Sequence, residues 1–275
     1  MTPPVVLKFG GELLEDPARM HGVVAAIAQI AKAGTPIAIV HGGGKEIDAA
    51  LKMAGIEKRQ VEGLRITDEP TLDVVVSVLA GAVNTRFVAA LSAAGVAAVG
   101  LTGADGGCGL SDVAPPHKTV DGRSVELGRV GLPARQADTR VLQTLMKDGF
   151  VPVVCSIGMT KAGELLNVNA DTMAGHLAGA LHARRLVISG STAGVLNEAG
   201  KTVALLDPAA IATLVAGGTA TAGMIAKLRA CEDALAGGVE DVVIVDGRDR
   251  DALCATASGA VPATVTRIVT TVGTR

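Results

Sequence analysis

The sequence predicts an α/β fold in which a mostly parallel central sheet is sandwiched between helices. Three observations carry that prediction. Short β-branched runs recur at 5–7, 36–40, 97–101, 150–155, 185–189 and 241–245, largely apolar, as in strands buried on both faces. Longer segments with apolar residues three and four apart separate most of them. Two of the runs end in glycines, KFGG at 8–11 and HGGG at 41–44, which puts glycine turns at the carboxyl ends of strands, where such sheets bind ligands.

Taken in order, VVL at 5–7 is a buried strand interrupted by Lys8 and closed by Gly10 and Gly11. PARMHGVVAAIAQIAKAG follows, with Val24, Ile27, Ala28 and Ala31 on one helical stripe and a stop at Gly34. PIAIV, the glycine turn and the helical pattern KEIDAALKMAG come next. Thr67-Asp68-Glu69-Pro70 supplies a cap candidate and an early proline for a helix whose stripe is Leu72, Val75, Val76, Leu79 and Val83. After AAVGL at 97–101, residues 105–131 are rich in Gly, Pro and charge; Asp121-Gly122 is a hairpin signal, so a polar β-hairpin is expected at the sheet's carboxyl edge, positioned as a lid. FVPVVC, the helix TMAGHLAGA, RLVIS, a helix from about Asp207, another at about 221–236, and DVVIV complete the pattern. With no Ser-, Gly- or Pro-rich linker, two tightly joined lobes are expected, 1–182 and 183–275.

Composition removes several function classes. Lys+Arg 25 against Asp+Glu 27 leaves a net charge of -2, too small a field to hold nucleic acid or an anionic membrane. The absence of Trp and Tyr, with three Phe, removes the aromatic platforms that single strands stack on. Cys108, Cys155, Cys231 and Cys254 form no CxxC pair and fit reduced thiols in a cytoplasm. No secretory signal is visible, and stretches such as 89–104 fall short of a membrane span, so a soluble protein is expected.

The glycine turn HGGG joins a strand to a helix, where backbone N–H groups favour an anion; the spacing is neither GxxxxGK[ST] nor GxGxxG, and a plain turn needing positive φ explains it equally well. Lys8 inside a buried strand reads as functional in preference to a lysine snorkelling at the sheet edge. Asp171, alone, reads as the N-cap of its helix, Asn167 and Asn169 as turn residues, and Lys227 as a surface lysine.

It is the ordered set that is specific: KFGG at 8–11, HGGGKEID at 41–48, GLRITD at 63–68, ELGRVG at 126–131, NVNAD at 167–171 and GMIAKL at 223–228. Together they resemble the amino acid kinase family, from Lys8 to about residue 250, and within it the branch that phosphorylates N-acetyl-L-glutamate in arginine synthesis. The resemblance implies the family's fold, with substrate binding and dimerisation in 1–182 and nucleotide binding in 183–275. It implies ATP as donor, with Mg²⁺ held by the nucleotide phosphates and no protein metal cluster. Lys8 would contact the transferring phosphoryl group, Lys227 the leaving side, and Asp171 would hold both ammonium groups while also capping its helix. Gly11 and Gly44 would donate N–H groups to phosphoryl oxygens, Arg65 and Asn167 would bind the α-carboxylate beside Gly43, and Gly10 and Ser191 would face the nucleotide. The resemblance departs at Ser191, where an Asp is usual, at Ala222 and Ala226, usually Gly and Pro, and at Val265-Thr266, usually Gly-Thr. Arginine-inhibited members carry a helix ahead of the first strand; this chain begins almost at the strand, which implies an arginine-insensitive homodimer. Two other readings stay open: an acyl-phosphate-forming kinase for carrier-linked aminoadipate or glutamate, and a sensor that binds without turnover.

Overall fold

Runs that are apolar on both faces need cover on both faces, and the chain folds accordingly. The structure is a computed structural model describing residues 2–119, 121–134, 137–217 and 222–270. In chain order its strands are β1 (Val5–Phe9), β2 (Ile37–His41), β3 (Gln60–Val61), β4 (Leu64–Arg65), β5 (Ala98–Thr102), β6 (Ser111–Val113), β7 (His117–Lys118), β8 (Ser124–Val125), β9 (Val130–Pro133), β10 (Val151–Cys155), β11 (Ile157–Met159), β12 (Leu165–Val168), β13 (Arg185–Gly190), β14 (Leu205–Leu206), β15 (Val242–Asp246) and β16 (Thr266–Ile268). The helices are α1 (Pro17–Lys32), α2 (Gly44–Met53), α3 (Glu69–Val76), α4 (Asn84–Ala93), α5 (Arg140–Lys147), α6 (Ala170–Ala180), α7 (Pro208–Ala216), α8 (Ala222–Ala236) and α9 (Arg250–Ser258).

The main sheet has eight strands in the order β14-β16-β15-β13-β1-β2-β10-β5. All six runs read from the sequence lie in it and pair in parallel. Only the short edge at β16 is antiparallel to β15. Strand alternation sorts the core into two layers. Val5, Leu7 and Phe9 join an apolar cluster with Ile27 of α1, Phe87 of α4 and Leu253 of α9. Val6 faces the other way, among Ala174 and Leu177 of α6 and Leu228 of α8. Lys8, two residues on from Val6, therefore emerges on the α6 side.

The helix opened by Asp68, whose carboxylate accepts the Thr71 N–H, runs longer than its stripe implied. It continues through a π-helical stretch, Ser77–Val83, into α4, making a 25-residue run that is long and apolar enough to cross a membrane by length and composition. Its buried residues Leu72, Val75, Leu79, Val83, Phe87 and Leu91 lie on one stripe that packs into the core.

The expected hairpin is β7–β8, turning at Asp121-Gly122, with Gly122 at φ 83°. The sequence reading missed a second sheet, β11-β12-β9-β6, which encloses this region and carries Asn167 on β12. The lid assignment also shifts. The turn that lines the central cleft, Gly63 to Arg65, belongs to the β3–β4 hairpin, and β7 braces it through His117 Nε2 and Glu62 Oε2, 2.8 Å apart.

Candidate active site

The strand ends converge where β1 lies between β2 and β13. Lys8 and Asp171, the latter in the first turn of α6, meet there at 2.8 Å, both largely buried. Lys227 reaches the same Asp171 oxygen, Oδ1, from α8 at 3.5 Å. That reach depends on close helix packing: a Cβ on Gly175 of α6 would sit 2.9 Å from the Ala230 carbonyl of α8. Burial alone would raise the Asp171 carboxyl, but the charges of Lys8 and Lys227 prevail and hold it below the usual carboxylate range. Burial, then the charge of Lys8, depresses the Lys227 ammonium. Asp171 is therefore an ionised tether between two cations.

Asp171 is not the helix cap. Asn169 is, its Oδ1 accepting the N–H groups of Asp171 at 2.8 Å and Thr172 at 3.2 Å. β12 ends at Val168, so the chain turns into the helix two residues earlier than a cap at Asp171 would require. The carboxylate is thereby released to the lysines.

The glycine turns touch each other. A Cβ on Gly11 would lie 2.7 Å from Gly43 Cα, and one on Gly43 would lie 2.9 Å from Leu79 Cδ2. None of Gly10, Gly11, Gly42, Gly43 and Gly44 has positive φ, so the plain-turn explanation of HGGG by left-handed backbone does not hold. Close approach of backbone demands glycine at 11, whereas a Cβ at 43 would press on the Leu79 and Val83 side chains. Gly44 is different, because its Cβ position opens onto empty space. Among the described residues, the N–H groups of Gly11, Gly43 and Gly44 have no protein acceptor. Gly44 begins α2, so the helix dipole adds to their pull on an anion.

Arg65 forms the opposite wall. One arm of its guanidinium pairs with Asp48 and also donates to the Gly44 carbonyl at 3.3 Å. Burial raises the Asp48 carboxyl, but Lys58 and Arg65 bring it below its ordinary value. The other terminal nitrogen, Nη1, is buried with no partner, an unusual state for a charged donor. Asn167 lies nearby on β12, its amide donating to Thr67 Oγ1 at 3.1 Å.

Lys8, Gly10, Gly11, Gly43, Gly44, Arg65, Asn167 and Asp171 line one cavity of about 250 Å³, whereas Lys227 is not among its lining residues and meets the site through Asp171. Ser191 stands apart from it, exposed in the turn after β13, its carbonyl accepting from Arg248 Nη2 at 2.9 Å. Thr266 is a brace: its hydroxyl accepts the Val195 N–H at 2.7 Å, beside the Gly194 turn. Sequence reasoning passed over Glu12 and Ser156, and took Asn169 for a turn residue only; all three also line the cavity. Glu12 follows KFGG directly, and its carboxylate folds over Gly10 into the space a Cβ would fill; that adjacency was a usable signal. No cluster of three or more metal-ligating side chains occurs among the described residues.

Two lysines tethered by one carboxylate, beside free N–H groups at converging strand ends, form an arrangement suited to an anionic group. Residues 3–246 match the amino acid kinase family, and the chain belongs to it. Curated relatives named acetylglutamate kinase include that of Novosphingobium aromaticivorans, 41% identical over 252 residues, with 88% of this chain and 83% of the relative covered. That of Parvibaculum lavamentivorans is 38% identical over 254 residues, covering 90% and 83%. A solved Streptococcus mutans UA159 structure superposes with TM-score 0.78 at 27% identity, covering 90% of this chain and 96% of that one. N-acetylglutamate synthase from Neisseria gonorrhoeae, complexed with coenzyme A and N-acetyl-glutamate, shares the fold at TM-score 0.81 and 23% identity, covering 98% and 60%.

Proposed function

We propose that this chain transfers the γ-phosphoryl group of ATP to the side-chain carboxylate of N-acetyl-L-glutamate, yielding ADP and the acyl phosphate used in arginine synthesis. The observation that carries the reading is the single Asp171 oxygen shared by Lys8 and Lys227 in the cleft of the unpartnered glycine N–H groups. The relatives' shared name supports the substrate.

A carboxylate is already ionised at neutral pH, so its attack on phosphorus needs no general base. The obstacle is repulsion, since an anion approaches an anion and a third anion leaves. Lys8 neutralises charge on the transferring group, Lys227 on the leaving ADP, and Asp171 keeps both ammonium groups aimed. Gly11, Gly43 and Gly44 donate N–H groups to the phosphoryl oxygens, with Gly10 leaving room at the nucleotide side. Arg65, fixed by Asp48, offers Nη1 to the α-carboxylate, and Asn167 supports the same group. Three free N–H groups and two ammoniums suit a polyphosphate, and Mg²⁺ on that polyphosphate would add charge neutralisation.

Residues 1–182 serve acetylglutamate and dimerisation and 183–275 serve the nucleotide, with Ser191 on the nucleotide side. The working unit is a cytoplasmic homodimer formed through the N-terminal lobe, free of nucleic acid and membrane; a hexamer by light scattering contradicts this. The test of function is to incubate protein with MgATP and candidate acids and trap acyl phosphate with hydroxylamine. Hydroxamate from N-acetyl-L-glutamate alone is expected. Ligand binding without hydroxamate, where an active homologue turns over, refutes it.

A further inference from the structure

His41 closes β2 on the face of Ile37 and Ile39, which turns its ring toward α4, edge-on to Phe87 with centroids 6.1 Å apart. The ring is fully buried. Burial, opposed by the Gly42 hydrogen bond and reinforced by the charge of Arg86, lowers its pKa to about 4, so the imidazole is neutral at working pH and carries one proton.

Which nitrogen holds that proton follows from the neighbours. Asn84 opens α4 and is buried; its Nδ2 lies 2.9 Å from the Val153 carbonyl of β10 and 3.0 Å from His41 Nε2. A carbonyl only accepts, so the atom facing Val153 is the amide nitrogen, and its second hydrogen goes to Nε2, nearer than the Leu101 carbonyl at 3.5 Å. Nε2 is then the bare nitrogen. Nδ1 carries the proton and donates to the Gly42 carbonyl at 3.1 Å. In a planar trans peptide the C=O and the following N–H point in opposite directions. Holding the Gly42 carbonyl on the α4 side therefore turns the Gly43 N–H away from it. The helix side of Gly43 is filled by Leu79 and Val83; its nitrogen lies 3.1 Å from where a Cβ of Gly11 would stand, and both glycines line the cleft.

We propose that Asn84 and His41 form a buried positioning relay that aims the Gly43 N–H at the transferring phosphoryl group. The aim rests on the phosphoryl-transfer reading above; the tautomer does not. Neither residue touches substrate, and both act through the Gly42–Gly43 peptide.

Two experiments on the full chain test it. In protein labelled with ¹⁵N-histidine, NMR should show His41 with Nδ1 protonated and Nε2 bare, unchanged from about pH 8 to about pH 5.5. An Nε2–H tautomer, or titration in that range, overturns the relay. The second measures binding of ADP–aluminium fluoride plus N-acetyl-L-glutamate, a mimic of the transferring group, beside ADP alone. His41→Leu, which fills the site without a donor, should weaken the mimic about 10- to 100-fold and leave ADP within about twofold. His41→Asn keeps an amide donor near the Nδ1 position and should recover most of the loss. Equal weakening of both ligands, or no rescue by Asn, assigns His41 a merely structural role. Should His41→Leu not fold, Asn84→Leu replaces it: the freed imidazole should populate both tautomers and the mimic should weaken while ADP holds, and a single Nδ1–H tautomer refutes the relay. If the wild-type protein does not phosphorylate acetylglutamate, the mimic fails for every variant, and the NMR result still decides the tautomer.

Discussion

Two substitutions two residues apart separate architecture from chemistry at the start of α6. Asn169→Ala removes a cap that accepts two N–H groups, which costs about 1–2 kcal/mol. In a chain of 275 residues that lowers Tm by about 2–4 °C and leaves the lysine tether in place. Asp171→Asn keeps shape and cap but removes the charge. The gross attraction lost is about 6 kcal/mol for Lys8 at 2.8 Å and about 5 kcal/mol for Lys227 at 3.5 Å, at an effective dielectric of ~20. Part of it is offset by the desolvation that the pairing required, but both lysines are left buried without their counter-charge, and removing one partner of a buried pair costs about 3–5 kcal/mol net. The stability loss should therefore exceed that of the lost cap. Turnover separates the two substitutions more sharply. Losing one preorganised donor costs about 10²–10³ in kcat, and Asp171 orients two, so a fall of about 10³ is expected. Thermal melts with steady-state hydroxamate rates measure both quantities. Asp171→Asn retaining kcat within about tenfold, or Asn169→Ala losing more turnover than Asp171→Asn, refutes the tether.

Further outcomes follow from the same geometry. Arg65→Ala should raise KM for N-acetyl-L-glutamate about 10²-fold with a smaller effect on kcat, because it deletes the unpartnered Nη1 donor; an unchanged KM places the α-carboxylate elsewhere. Gly44→Ala should fold normally, having open space at Cβ and no positive φ, yet lower kcat by crowding the phosphoryl site; preserved turnover returns Gly44 to the status of a turn residue. His41, at about 4 when folded against 6.5 when free, favours folding while neutral. Its contribution is complete above about pH 6.5 and is lost as pH falls towards 4, about 3 kcal/mol in all. Denaturant melts across that window should show His41→Asn flatter than wild type by that amount, and parallel curves would contradict the shift.

How far the sequence could be read depends on how local each cause is. The β-branched runs and the Asp68 cap are determined by neighbours in the chain, and the structure reproduces them. Lys8 was readable because a lysine in an apolar strand requires a partner, though the partner, 163 positions on, came only from the family pattern. Asn169 and Asp171 are both good caps, and only the end of β12 chooses between them. Strands of two to four residues, such as β3, β6 and β12, carry too little pattern to register and owe their existence to pairing. The Arg65–Asp48 clamp and the His41–Asn84 contact join different elements, so no local signal announces them.

The most direct test of the account is Lys8→Ala, which removes the cation proposed to contact the transferring phosphoryl group. The account predicts a folded protein with near wild-type Tm that binds N-acetyl-L-glutamate and forms almost no hydroxamate with MgATP. A Lys8→Ala protein with near-normal kcat would contradict it.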